Sequence, residues 1–365
     1  MEPPEEARCR RPHNWMLAVV LCLLFVAKAQ GEEYFDKYDL IPNAKYVDMG
    51  VQPMAYPLAF ISSAMQRDRL LREELKNLGL ELRAFSFRKG NDIVNLVGEG
   101  KLEFAFLGDM PTVNTLMRTP TYIAGLGKRN FSSIVARNYS RIEELKGKRV
   151  AYSGGSSSHL VLLRGLESAG MAERDVTLVS MEPAQMPDAL ESGAVDAYSA
   201  WEPTPSISLA RNPRNRAIYR GMSTDWVVLS RDLAETRPEV ARLLVASYAR
   251  AINWMRAAGQ NATRVGRWVM ADGEAFTGRK PDLPLNKAIE IARKDLLDVP
   301  GAPAVPSLLD GLPPLMREFD FLRQQRRIAA DADTRRITEA FAYGGLRQVQ
   351  SEPKKHQLFV YNYDQ

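Results

Sequence analysis

From Lys45 onward the chain alternates between two spacings of apolar residues. Short runs rich in branched and aromatic residues occur at Lys45 to Gln52, Leu80 to Phe87, Leu102 to Gly108, Ser132 to Asn138, Arg149 to Ser153, Val176 to Met181, Val195 to Trp201 and Trp226 to Ser230. Each has the length of a strand, and strands alternating with helical patterns predict an α/β fold with a mainly parallel sheet. Leu58 to Asn77 is the clearest helical pattern, with Phe60, Ala64, Leu71, Leu75 and Leu78 on one face and Gly79 just past the end as a cap. After Leu233 the strand-like runs stop. Glu239 to Met255, Lys287 to Leu297, Leu315 to Arg327 and Arg335 to Tyr343 read as helices, separated by Pro-rich loops such as Pro300 to Pro306. The carboxy-terminal third is therefore expected to cover the sheet rather than add strands to it.

The pattern repeats. Gly100 is followed three residues later by Glu103, nine residues later by Asp109, and then by Pro111; Gly193 is followed at the same spacings by Asp196 and Glu202, and then by Pro203. In each copy a glycine ends a helix, a strand follows, and an acid stands just past the carboxyl end of that strand. Two similar α/β halves whose strand ends carry polar residues point to two lobes facing a cleft, because open α/β sheets bind ligands at those ends.

The amino-terminal segment differs in kind. Arg8, Arg10 and Arg11 precede a run of 12 apolar residues from Met16 to Ala27, and Ala27-Lys28-Ala29 supplies small residues for cleavage. This reads as a secretory signal peptide over residues 1–29, too short to cross the ~30 Å hydrocarbon layer that takes ~20 residues. Cys22 follows Leu21 within the apolar run, which argues against a lipid anchor. Both cysteines, Cys9 and Cys22, leave with the segment, so thiolate catalysis and thiol-based metal sites are excluded from the mature chain. Of three histidines only His159 lies in the body, so no zinc site of several His or Cys ligands can be assembled. The 49 basic residues are interspersed with 44 acidic ones for a net charge of +5. That is a mildly basic surface, not a nucleic-acid footprint.

Three loops at the same expected sheet edge carry candidate chemistry. In Tyr152-Ser153-Gly154-Gly155-Ser156-Ser157-Ser158-His159 a strand gives way to a Gly/Ser turn and a helix. Backbone N–H groups and hydroxyls at the positive end of a helix dipole suit an anion, although Ser156 or Ser157 serves equally as a simple cap. A nucleophilic serine is disfavoured: Gly-x-Ser-x-Gly is missing, and His159 adjoins the serines along the backbone. No phosphate-binding or dinucleotide-binding glycine motif occurs. Trp201-Glu202-Pro203 and Asp109-Met110-Pro111 are the two repeat loops, and Gln52-Pro53-Met54 follows the first strand. An indole can cover the apolar part of a ligand, and a carboxylate beside it can accept hydrogen bonds.

Gly50-Val51-Gln52-Pro53, Gly100 through Pro111, Lys146 through Tyr152, Ser156 through His159 and Trp201-Glu202-Pro203, in that order after an export signal, resemble the periplasmic solute-binding proteins of nitrate, sulfonate and taurine ABC importers, a group related to thiamine-precursor binding proteins. The resemblance spans roughly residues 45 to 230. It implies a type II periplasmic binding protein with two α/β lobes that close on a small ligand. Lobe 1 would be residues 45–136 plus 225–345, lobe 2 residues 137–224, and residues 346–365 a polar tail. It also implies that the Ser156, Ser157, Ser158 and His159 loop holds an oxyanion, with Gln52, Met54, Asp109, Met110, Trp201 and Glu202 completing the pocket. Asp109 and Glu202 together favour a solute that also bears an amine, since two carboxylates would repel a bare anion. The expected protein is a periplasmic monomer without cofactor or metal, whose partner is the membrane permease of an ABC importer. A binding protein or enzyme for the thiamine pyrimidine precursor and a ligand-binding partner of a sensor are the alternatives.

Overall fold

A computed structural model describes residues 33–42 and 45–364; the segment read as an export signal and both cysteines lie outside the described residues. Two compact units result, one ending at Asp39 and one beginning at Leu40. Among the described residues of the first, the Asp36 amide donates to the Glu33 carbonyl and the Tyr38 amide to the Phe35 carbonyl in successive turns.

Eight strands form one mixed sheet in the order β2-β1-β3-β8-β4-β7-β5-β6. β1 (Tyr46–Val51) lies between β2 (Glu81–Ser86) and β3 (Phe104–Gly108), all parallel. β5 (Arg149–Tyr152) likewise lies between β6 (Thr177–Ser180) and β7 (Ala197–Ala200). Two long antiparallel strands, β4 (Thr121–Arg137) and β8 (Asn215–Ser230), join these triplets and pair with each other from Thr121↔Ser230 to Arg137↔Asn215. The first acid of each sequence repeat ties its triplet together. Glu103 accepts the Asp48 amide at 2.7 Å and Asp196 accepts the Arg149 amide at 2.9 Å, each fastening the start of the central strand to its neighbour.

β4 and β8 start earlier or run longer than their apolar runs predict. The first half of β4 holds Gly125, Gly127, Lys128, Arg129 and Asn130, residues that weaken a strand signal. Gly125 is there because the Tyr248 ring presses on the strand: a Cβ would lie 2.4 Å from the ring, and the Tyr248 hydroxyl donates to the Leu126 carbonyl at 2.7 Å. Register shifts between Ile123 and Gly125 and between Leu126 and Lys128 mark bulges that re-aim this stretch.

The single helix expected over residues 58–77 is two, α1 (Leu58–Gln66) and α2 (Arg69–Asn77). Asp68 breaks it, capping α2 by accepting the Leu71 amide. Its fully buried carboxylate also accepts from Arg250 Nη2 at 2.6 Å, Arg250 Nε at 2.9 Å and Ser247 Oγ at 2.7 Å. The remaining helices of the first triplet's half are α3 (Gly90–Gly98) and α4 (Asp109–Arg118). Those of the second are α5 (Ser157–Ser168), α6 (Met186–Ser192) and α7 (Thr204–Arg211).

After β8 no further strand is found among the described residues; α8 (Arg231–Thr236), α9 (Pro238–Ala257), α10 (Gly259–Thr277) and α11 (Leu285–Ala292) follow, the last continued by a wider π turn at Arg293–Leu297. α10 escaped the sequence reading because its buried face is Ala262, Val265, Gly266, Val269 and Gly273, too small to register as an apolar stripe. α12 (Met316–Gln324), α13 (Arg335–Ala340) and α14 (Gly345–Ser351) complete the layer.

The expected polar tail is instead docked. Leu346, Val349, Leu358 and Tyr363 are buried, and the Tyr363 ring stacks on Trp254 at 3.9 Å. One large core joins β1, β3, α1, α2, α9 and α10, while two smaller cores lie on the opposite faces of the β5–β7 triplet. Among the described residues no helix is long and apolar enough to cross a membrane, and no cluster of His, Cys, Asp or Glu could hold a metal ion.

Candidate functional site

The carboxyl ends of the two parallel triplets meet at a narrow cavity of about 20 Å³, room for about one water. From the β1–β3 side come Gln52, Ala55, Leu58, Gly90, Gly108 and Pro111, with Asp225 from β8; from the β5–β7 side come Ser156, Ser157 and Trp201. The two sides touch. The Tyr56 amide donates to the Glu202 carbonyl at 3.0 Å, and a Cβ on Gly108 would lie 2.0 Å from Ser157 Oγ.

The serine turn is built by the helix that follows it. Gly155, at φ +71°, turns the chain so that Ser156 becomes the N-cap of α5. Ser156 Oγ donates to the Ser153 carbonyl at 2.6 Å and accepts the His159 amide at 3.4 Å, so its hydroxyl is committed to the cap. Ser158 is fully buried, its Oγ 2.9 Å from Ser156 Oγ and its carbonyl accepting from Ser199 Oγ. The first amides of a helix have no partner within it, which leaves those of Ser157 and Ser158 at the positive end of α5. His159 turns away. Its Nδ1 accepts the Gly155 amide at 3.2 Å, so the ring proton sits on Nε2, 3.0 Å from Glu173 Oε1. Burial lowers its pKa below the ordinary histidine value.

Of the residues singled out in the sequence, Gln52, Ser156, Ser157 and Trp201 line the cavity and the rest do not. Gln52 is fixed by donating from Nε2 to the Phe106 carbonyl at 2.6 Å. Met54 lies against Gly273 on α10, and Met110 is buried in its own half. The repeat acids Asp109 and Glu202 stand behind the walls as helix-start ligands: Asp109 accepts the Met110 amide at 2.7 Å and Glu202 accepts the Ser206 amide at 3.2 Å. Burial raises the pKa of both above the usual carboxylate range.

One residue not singled out lines the cavity, and its strand partner lies beside it. Asp225 faces the cavity, its carboxyl pushed up to about 7 chiefly by burial and further by Asp109, against the pull of Lys128. Lys128, its register partner on β4, is 1% exposed, and its Nζ has no hydrogen-bond partner. Trp201 Nε1 is likewise buried and unpartnered. Ser157 bonds the Asp109 carboxyl through its side chain, so the cleft holds an unpartnered indole N–H beside the helix start on one side and the Asp225 carboxyl on the other, an arrangement suited to a solute with an acceptor head and a cationic group.

Known proteins resemble this chain along much of its length. A putative aliphatic sulfonates-binding protein of Bacillus subtilis (strain 168) is 24% identical over 252 residues, 66% of this chain and 73% of that one. The taurine-binding periplasmic protein of Escherichia coli (strain K12) is 25% identical over 170 residues, 44% of this chain and 53% of that one. The alkanesulfonate-binding protein SsuA from Xanthomonas axonopodis pv. citri, solved with MOPS, superposes with a TM-score of 0.61 at 18% identity, covering 82% of this chain and 99% of that one. The desulfurization enzyme DSZB also shares the fold, with a TM-score of 0.57 at 15% identity over 84% of this chain and 99% of that one. Fold alone therefore does not separate capture from catalysis. The family described as NMT1/THI5 like matches residues 75–262, just over half of the sequence, and the chain belongs to it.

Proposed function

We propose that this protein is the solute-binding component of an ABC importer, exported to the periplasm by removal of residues 1–29, which captures a small sulfonate-like anion or zwitterion and hands it to a membrane permease. Its halves, residues 45–136 with 225–345 and residues 137–224, would hinge about β4 and β8, the two strands that run through both. The observation that carries this reading is the pairing across the cleft. Ser157, the free amides of α5 and the unpartnered Trp201 indole stand on one wall, and the Asp225 carboxyl stands on the other.

The chemistry of the two walls fits the two ends of such a solute. A helix amino terminus and N–H donors favour a negative head. An ammonium group on the solute would pair with Asp225, and the repulsion between a bare anion and that carboxylate disfavours solutes without one. His159 is not placed to activate the serines: it spends Nδ1 on a backbone amide and points Nε2 at Glu173. This supports capture over the pyrimidine-precursor enzyme reading, whose chemistry leans on histidine and cysteine.

Isothermal titration of the mature chain with taurine, ethanesulfonate, nitrate and a thiamine pyrimidine precursor tests the reading. Taurine is expected to bind most tightly of the four, and Ser157→Ala to weaken it. Binding of the pyrimidine alone, or of none of them, would remove the proposal.

A further inference from the structure

Lys128 is the least explained residue of the molecule. It is 1% exposed, and no acceptor satisfies its Nζ. Burying a charged group without hydrogen bonds costs several kcal/mol, so a lysine so placed calls for a partner. The surrounding groups are charged but not in contact. Asp225 is opposite it on β8, and Asp295, in the π turn at Arg293–Leu297, is held by the side-chain amide of Asn130, two residues further along β4. Glu202 follows β7 in the other half. The positive charge of Lys128 lowers the proton affinity of all three carboxyls, yet none forms an ion pair with it.

A buried ammonium that pairs with none of the carboxyls near it lacks an acceptor, and its register partner Asp225 lines the cleft, so a solute that enters as the halves part can supply one. Such a group must accept from Nζ and donate to a carboxylate. A single oxygen acceptor satisfies only the lysine, and a single ammonium satisfies only the acids. An amine with an oxygen acceptor on the same carbon satisfies both. The lysine lies on the Asp225 side of the cleft, away from the serine turn, so this end of the solute is distinct from its anionic head.

We propose that Lys128 is a ligand-contacting residue that donates to an oxygen acceptor beside the solute's amine, so that the preferred solute class is a sulfonate-like anion whose other end carries an amine and a carboxylate on one carbon. This rests on the reading of the cleft as a zwitterion site. The competing role for Lys128 is that of a counter-charge that only balances the buried acids.

Titration calorimetry on the mature chain separates the two. L-Cysteate is taurine with a carboxylate on the carbon that bears the amine, so the pair differs only in the group assigned to Lys128. Wild type is expected to bind L-cysteate at least tenfold more tightly than taurine. In Lys128→Met, whose side chain has a similar reach and no charge, that preference should vanish; measured at about pH 8.5 and above, where Asp225 is ionised even without the lysine beside it, L-cysteate should weaken at least tenfold more than taurine. Lys128→Arg should keep part of the preference. Equal weakening of both ligands in Lys128→Met would overturn the assignment in favour of the counter-charge. So would a wild-type protein that binds L-cysteate no better than taurine, a comparison that needs no variant to fold. If wild type binds neither, the zwitterion site itself is wrong and this inference falls with it; if taurine binds without the L-cysteate preference, only this inference fails.

Discussion

Replacing Gly108 by alanine puts a single methyl group where the two halves meet. Gly108 has φ −70°, a conformation open to any residue, so the change adds no backbone strain. The methyl carbon would lie 2.0 Å from Ser157 Oγ and 3.3 Å from Asp225 Oδ1, in a cavity of only about 20 Å³. Gly108 ends β3 and Ser157 starts α5, so parting the halves relieves the clash and neither half need unfold. Overpacking a filled site costs about 1–3 kcal/mol, and here that cost falls on closure. At about 1.4 kcal/mol per tenfold, taurine affinity measured by calorimetry should drop roughly 5- to 150-fold. The Tm of the unliganded chain should stay within about 1 °C of wild type, less than the roughly 1.5–4.5 °C expected if the same energy were lost from folding a unit of this size. Gly98→Ala, where nothing lies within 4 Å of the added atom, provides the control. Wild-type affinity in Gly108→Ala would refute the closed-cleft reasoning, and so would a loss of Tm that matches the loss of affinity.

Trp201→Phe removes the unpartnered indole N–H but keeps most of the ring; taurine binding should weaken by about 0.5–1.5 kcal/mol, roughly 2- to 15-fold, with Tm unchanged or raised because a buried donor without an acceptor is gone. Taurine affinity should also depend on pH. Burial keeps the Asp225 proton on up to about pH 7, and the neutral carboxyl offers no charge to an ammonium group, so affinity should rise nearly tenfold per pH unit toward 7 and level off above it. Ethanesulfonate, with no amine, should show no such rise, and Asp225→Asn should flatten the taurine profile; a flat wild-type profile by calorimetry across pH 5 to 8 would count against an ammonium beside Asp225. Arg250→Met leaves Asp68 charged at 0% exposure, with only Ser247 and the Leu71 amide as donors, and breaking so buried a pair costs about 3–5 kcal/mol; urea denaturation should show that loss, and a change under 1 kcal/mol would mean the pair is idle.

How much of this was legible in the sequence follows from which residues carry two duties at once. The parallel strands stand out because both faces are buried, so β1, β3, β5 and β7 read as continuous apolar runs. Gln52, Ser156, Ser157 and Trp201 were recognisable for a related reason: each is a polar or indole side chain placed just after such a run, where open α/β sheets present their loops. Asp225 and Lys128 escaped because they are on the antiparallel pair. On an antiparallel strand, the residues level with the carboxyl ends of its parallel neighbours precede the apolar run rather than follow it, as the pairing of Gly108 with Asp225 shows. A search confined to the loops after strands passes over them.

The repeated acids carry a structural duty that the spacing alone does not reveal. Glu103 and Asp196 hold equivalent strand-to-strand bonds, and Asp109 and Glu202 both accept an amide at the start of the next helix, which is where a helix dipole favours a carboxylate. Their recurrence records how a strand is joined to a helix in each half, and so would persist whatever the cleft binds. What the cleft binds must instead be set by residues that break the symmetry between the halves. The serine turn with Trp201 has no counterpart wall in the first half, and Asp225 with Lys128 has none in the second. A pocket whose two walls differ in this way grips a solute whose two ends differ, and a symmetric dianion should bind it less tightly than a zwitterion of the same length.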